Sequence, residues 1–181
     1  RTLGASVHCV TDRHLTVPFT YRVGDLYAAT FEPRGEPASL RASHGGPRGL
    51  FLHIVHLYQI VEIDRVQNRR AWRVTTAMYE YALLDRDGRE LLTFHWQPGP
   101  NFAGPDHPHL HVSAALTAWV DATTTEEIDL DDRHVATGRV TLEAIVRMLV
   151  EEFGVAPRRG DWREVLDRNE ALFRDEAMER H

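Results

Sequence analysis

The sequence predicts an α+β fold, an antiparallel β-meander sheet packed on one face by two C-terminal helices, in a single domain spanning residues 1–181. Three observations carry that expectation. Apolar residues alternate at strand spacing through the middle of the chain, Asp87-Gly88 marks a tight turn between two of the runs, and from Thr141 onward the apolar spacing becomes helical. Strands followed by helices, instead of alternating with them, segregate the helices to one side of an antiparallel sheet. A length of 181 residues suffices for one well-buried core and is short for two.

Taken in order, residues 15–31 (LTVPFTYRVGDLYAATF) alternate loosely around Gly24-Asp25 and read as a hairpin of two short strands. Residues 32–49 are rich in Pro, Gly and Arg without periodicity, which predicts a long loop. The run LFLHIVHLYQIVEID (50–64) is dense in β-branched and aromatic residues and predicts a long strand. Two further strands follow on either side of Asp87-Gly88. A Pro/Gly loop (97–106) then leads into HPHLHVSAALTAWV, expected to be one more strand, with Pro108 at its start or on an edge because proline cannot donate to a ladder. The acidic stretch 121–134 reads as a solvated loop. Thr141 caps a predicted helix whose stripe is Leu142, Ile145, Val146, Leu149, Val150 and Phe153, ended by Gly154 and Pro157. Asp161 with Glu164 resembles a capping box opening a second helix, the helical part extending over 141–178.

Composition narrows the functional classes. Hydrophobic residues at 43% and charged residues at 27% are ordinary for a globular protein, and no apolar run approaches the roughly 20 residues of a membrane-spanning helix. The formal charge of −6 argues against a generally basic nucleic-acid surface. All 21 basic residues are arginine, a bias that a GC-rich genome explains, although arginine also suits bidentate phosphate contacts. The single cysteine, Cys9, reads as a small semi-buried residue and fits a reducing compartment, so a cytoplasmic location is the expectation. Eleven histidines are the compositional anomaly.

Three of them stand at strict period two. In an extended strand His107, His109 and His111 project from one side, with Pro108, Leu110 and Val112 on the other. Side chains two apart on a strand start roughly 6.5–7 Å from one another, which lets neighbouring rings converge. His95, at the end of the preceding strand, is expected close by. In a metal reading, two or three of His95, His107, His109 and His111 bind a borderline divalent cation such as zinc through neutral imidazoles and leave a position open for water. Asp106 is the nearest carboxylate in sequence. In a phosphate reading one histidine is nucleophile or general acid/base and its neighbours hold a phosphoryl group. In a structural reading the histidines form a semi-exposed polar face. His53 and His56 differ by three and face opposite sides of their strand, so one of them at most joins the cluster. His8, His14, His44, His134 and His181 show no partner pattern in sequence.

Two resemblances add expectations. HPHLHVS is similar to the signature of the histidine-triad nucleotide hydrolases and transferases, which implies a nucleophilic His109 flanked by His107 and His111. Over residues 78–153 the order YEYALLDRDGRELLTFHWQP, loop, HPHLHV and TGRVTLEAIVRMLVEEF resembles the small TumE-type proteins of bacterial toxin–antitoxin pairs, through Tyr79, Tyr81, Leu83, Asp85, Gly88, Pro108, His109 and His111. This second resemblance covers more of the chain. It implies a prokaryotic protein acting on RNA or phosphodiesters through its histidines, or held by a cognate antitoxin or other protein partner.

Overall fold

The computed structural model describes residues 2–16, 18, 20–46, 48–66, 69–99, 105–113, 118–121, 126–128 and 134–178, with backbone alone at 64–66, 69–71, 118–121, 126–128 and 173–178. The elements run α1 (Thr2–Val7), β1 (Leu26–Thr30), β2 (Ala38–Ser39), β3 (Phe51–Val66), β4 (Arg69–Leu84), β5 (Glu90–Trp96), β6 (His109–Val112), β7 (Ala118–Asp121), β8 (Glu126–Ile128), β9 (His134–Ala136), α2 (Leu142–Glu151) and α3 (Trp162–Met178). A seven-stranded antiparallel sheet has the order β1-β3-β4-β5-β6-β9, with β2 also paired to β3, and β7-β8 form a separate two-stranded sheet. The α+β class and the helix-packed meander are therefore as the sequence predicts.

Helices cover one face. Leu52, Ile54, Tyr79, Tyr81, Leu83 and Trp96 of the sheet pack with Leu142, Ile145, Val146 and Leu149 of α2 and with Trp162, Val165 and Leu166 of α3. Burying each aliphatic side chain of this kind stabilises the fold by about 1.5–3 kcal/mol. The Thr141 hydroxyl accepts the Ala144 N–H at 3.0 Å, so the predicted cap is formed. Gly154 ends α2 at a φ of 61°, a left-handed conformation that favours glycine. At the start of α3 the Asp161 carboxylate is taken up by Arg159 (Nη2 to Oδ2, 2.7 Å), so that acid serves an ion pair.

Four expectations are corrected. Among the described residues, 15–31 hold one strand in place of the two of a hairpin: β1 pairs with β3, with Tyr27 opposite Tyr58, and Leu15 meets Phe31 only in an isolated antiparallel bridge. The 32–49 loop contains β2 and is pinned further along, where Ala42 bridges Val155 and the Ser43 N–H and hydroxyl both donate to Gly154 O, at 2.8 and 2.7 Å. The strand expected after residue 107 is two strands in different sheets, β6 and β7, with 114–117 outside the described residues. The acidic stretch 121–134 includes the last residue of β7, all of β8 and the first residue of β9, its remaining residues 122–125 and 129–133 lying outside the described set. The N-terminal helix α1 has no amphipathic length for a periodicity argument, yet it brings Val7, Cys9 and Val10 into the core, where Cys9 is fully buried.

One irregularity orients side chains across the long β3–β4 hairpin. Leu57 pairs with Met78 and Tyr58 with Thr76, so Ala77 is an extra residue on β4, a β-bulge.

Candidate metal centre

Tyr79, Tyr81 and Leu83 of β4 point to the helices, so the pleat sends Glu80 and Ala82 to the opposite face. The register then lines up two rows across four strands. Glu80, His95, His109 and Ala136 oppose one another in sequence across β4, β5, β6 and β9, and Ala82, Thr93, His111 and His134 form the neighbouring row. His53 opposes Ala82 and joins the second row from β3. His56 faces the helix side, hydrogen-bonded to Tyr81. Of the pair three apart, one member therefore lies on the histidine face and the other does not.

His95, His109 and His111 each offer one ring nitrogen within 4.8 Å of the others. The Nε2 atoms of His109 and His111 are 3.0 Å apart. Two ligand nitrogens on a tetrahedral zinc ion are separated by about 3.3 Å, given Zn–N bonds near 2.0–2.1 Å, so small ring movements suffice to hold one ion. His109 is the most enclosed of the set at 4% exposed. Its Nδ1 lies 2.8 Å from the His107 carbonyl oxygen, to which it donates, so that Nε2 carries the lone pair and accepts from His111 Nε2. This outer bond fixes tautomer and ring orientation, as outer partners of metal-ligating histidines do.

Glu80 supplies the carboxylate that the sequence alone did not place. Its Oε2 is 3.2 Å from His95 Nε2 and its Oε1 3.6 Å from His53 Nε2. The His95 hydrogen bond, assisted by the charges of His95, His53 and His111, holds the Glu80 carboxyl below the usual carboxylate range against the opposing effect of burial. A carboxylate accepting from His95 Nε2 assigns the lone pair of that ring to Nδ1. Burial, followed by the neighbouring imidazoles His95 and His134, pushes both His109 and His111 below the ordinary imidazole pKa, with the His107 carbonyl working the other way on His109.

The remaining predicted residue, His107, sits outside the convergent trio. Its ring centroid is 6.0 Å from that of His109 and its side chain is about half exposed, near Asp106 (3.8 Å), which is itself almost fully exposed. The contribution of His107 to the centre is its backbone carbonyl. His134, without a partner pattern in sequence, belongs to the cluster: its ring lies 4.4 Å from His111 and 5.0 Å from His109, edge to face. No family model, curated protein or solved structure matches this chain.

Proposed function

We propose that the chain binds a borderline divalent cation of the zinc class, with His95, His109 and His111 as ligands, Glu80 behind His95, and an open coordination position for water or substrate. The observation that carries this reading is the convergence of three imidazole nitrogens within 4.8 Å from two adjacent strands. Neutral nitrogen donors select zinc-like cations over magnesium or calcium, which prefer oxygen. Three protein ligands plus an open position are the pattern of a catalytic ion, whose bound water is acidified towards neutral pH and becomes a nucleophile. Hydrolysis of a phosphodiester is the reaction class that this chemistry and the resemblance to TumE-type proteins share.

Titration of the chelator-treated chain with zinc, followed by calorimetry and elemental analysis, is expected to give one ion per chain. His109→Ala and His111→Ala are expected to weaken binding at least 100-fold, whereas His107→Ala, which keeps the backbone carbonyl, changes it less than about tenfold, the lower end of the effect of losing an outer partner. A chain that takes up no zinc at micromolar concentration, or whose affinity ignores both ligand variants, overturns the proposal.

A second reading, metal-free cleavage of RNA by histidine acid/base chemistry, is favoured by the order of elements: β4, turn, β5, the histidine strand β6 and, after the inserted β7, β8 and β9, α2. RNA cleavage that persists in chelator and is lost in His109→Ala supports it; RNA left intact by the parent protein removes it. In the same reading a cognate antitoxin is the expected partner. A histidine-triad nucleotide hydrolase requires a phosphoramidate on His109, which mass spectrometry after incubation with a nucleotide detects directly.

A further inference from the structure

On the helix-packed side of the sheet lies a cavity of about 550 Å³. Small-molecule sites span about 300–1,000 Å³. Its walls are mainly apolar, with Leu3, Leu15, Tyr58, Ile60 and Val74 among them. Tyr21, Val74 and Leu172 also line it and are 43%, 48% and 53% exposed, so its rim is apolar as well. Because His56 lines this cavity and faces away from Glu80 and His95, the cavity lies across the sheet from the histidine centre.

Polar groups gather where α1, α2 and α3 meet. Ser6 Oγ donates to Glu143 Oε1 at 2.7 Å, and Asn169 Nδ2 donates to Ser6 Oγ at 2.9 Å and to Thr2 O at 3.2 Å. These bonds use the donors of the trio. What Glu143 and Asn169, both lining residues, still offer is acceptors: the second carboxyl oxygen and Oδ1. Glu143 is only 3% exposed, and no lysine or arginine is among the described residues that line the cavity. A carboxyl group buried beside apolar walls needs a donor or a cation to compensate its lost hydration. A second lining group, His8 Nε2, is buried with no hydrogen-bond partner among the described residues.

We propose that this cavity binds a small primary amine with an apolar tail, its ammonium group donating to Glu143 and Asn169 and its tail lying along Leu15, Tyr58 and Val74. An ammonium group carries three donors and no acceptor, matching the acceptors that Glu143 and Asn169 leave open; a carboxylate ligand would meet Glu143 with like charge. The tail removes apolar wall and rim from water.

Calorimetry and thermal unfolding of the full chain with n-octylamine, n-octanol and sodium octanoate test the assignment with one tail and three head groups. Octylamine is expected to bind one to one and to raise the melting temperature, octanol to bind at least about tenfold more weakly, and octanoate not to bind. Loss of a charged hydrogen-bond partner in Glu143→Gln is expected to weaken octylamine roughly ten- to hundredfold and to leave octanol unchanged. Val74→Arg, at a half-exposed rim position, is expected to abolish octylamine binding by placing a like charge and a larger side chain in the mouth. Octanol or octanoate binding as tightly as octylamine, no octylamine binding at millimolar concentration, or octylamine affinity unchanged in Val74→Arg each overturns the proposal. Should Glu143→Gln fail to fold, the head-group series and Val74→Arg decide it.

Discussion

His56 and His109 show how two histidines of one sheet are given different tasks by what surrounds them. His56 is 7% exposed, its Nδ1 lies 2.7 Å from the Tyr81 hydroxyl, and burial lowers its pKa from 6.5 to about 4. Between those two values the unfolded chain binds a proton that the folded chain refuses. The stability contributed by neutral His56 is thus fully present above pH 6.5 and is lost as pH falls towards 4, by about 3 kcal/mol. Urea unfolding at pH 7 and pH 4.5 is expected to show a smaller loss in His56→Gln than in the parent, because glutamine does not titrate; equal losses would contradict the assignment. The histidine face itself was legible because a period of two is local information. Glu80 was within reach too: folding the chain back at Asp87-Gly88 sets it opposite His95, and its position between Tyr79 and Tyr81 marks the other face. His134 was not legible. Its place depends on the pairing of β6 with β9 across an acidic segment that carries no register signal of its own.

Among the elements, the long strands and α2 were readable from sequence because each satisfies its own local pattern, whether alternation, turn or cap. The misread parts depend on distant partners. β1 pairs with β3, and β2 and the residues after it are pinned by β3 and by the segment that follows α2, so nothing near 15–49 in sequence announces them. That pinning is close. A Cβ built on Gly46 would stand 2.5 Å from the carbonyl oxygen of Gly154, a backbone atom with little freedom to move. Gly46→Ala is therefore expected to destabilise the chain by about 1–3 kcal/mol, the usual cost of overpacking, read as a lower urea midpoint with an unchanged m-value. A midpoint within error of the parent would show that the segment yields. α1 escaped sequence reasoning for a related reason: six residues are too few for a periodicity, and the helix is held by Ser6 reaching Glu143 and Asn169 on the other two helices.

For the molecule as a whole, metal binding and folding are linked, because the three proposed ligands come from β5 and β6 and converge only when those strands pair. Zinc at about 100 times its dissociation constant is expected to stabilise the folded state by about 2.7 kcal/mol. For a chain of this length that corresponds to a rise of about 5–10 °C in melting temperature, reversed by chelator; identical melting curves with zinc and with chelator would exclude a folded-state metal site. The two proposed sites use opposite sides of one sheet, and β4 is the wall between them, sending Glu80 towards His95 and Tyr81 towards His56. Ala77 gives that wall a change of reading frame. Beyond the bulge the even-numbered residues Thr76 and Val74 line the amine cavity, while before the turn the even-numbered Glu80 serves the histidines. Were Ala77 taken into a regular ladder, Val74 and Thr76 would turn to the opposite compartment, whereas deleting it would close the bulge and leave both on the cavity side, so the division between the two chemistries rests on one residue that has no partner of its own on β3.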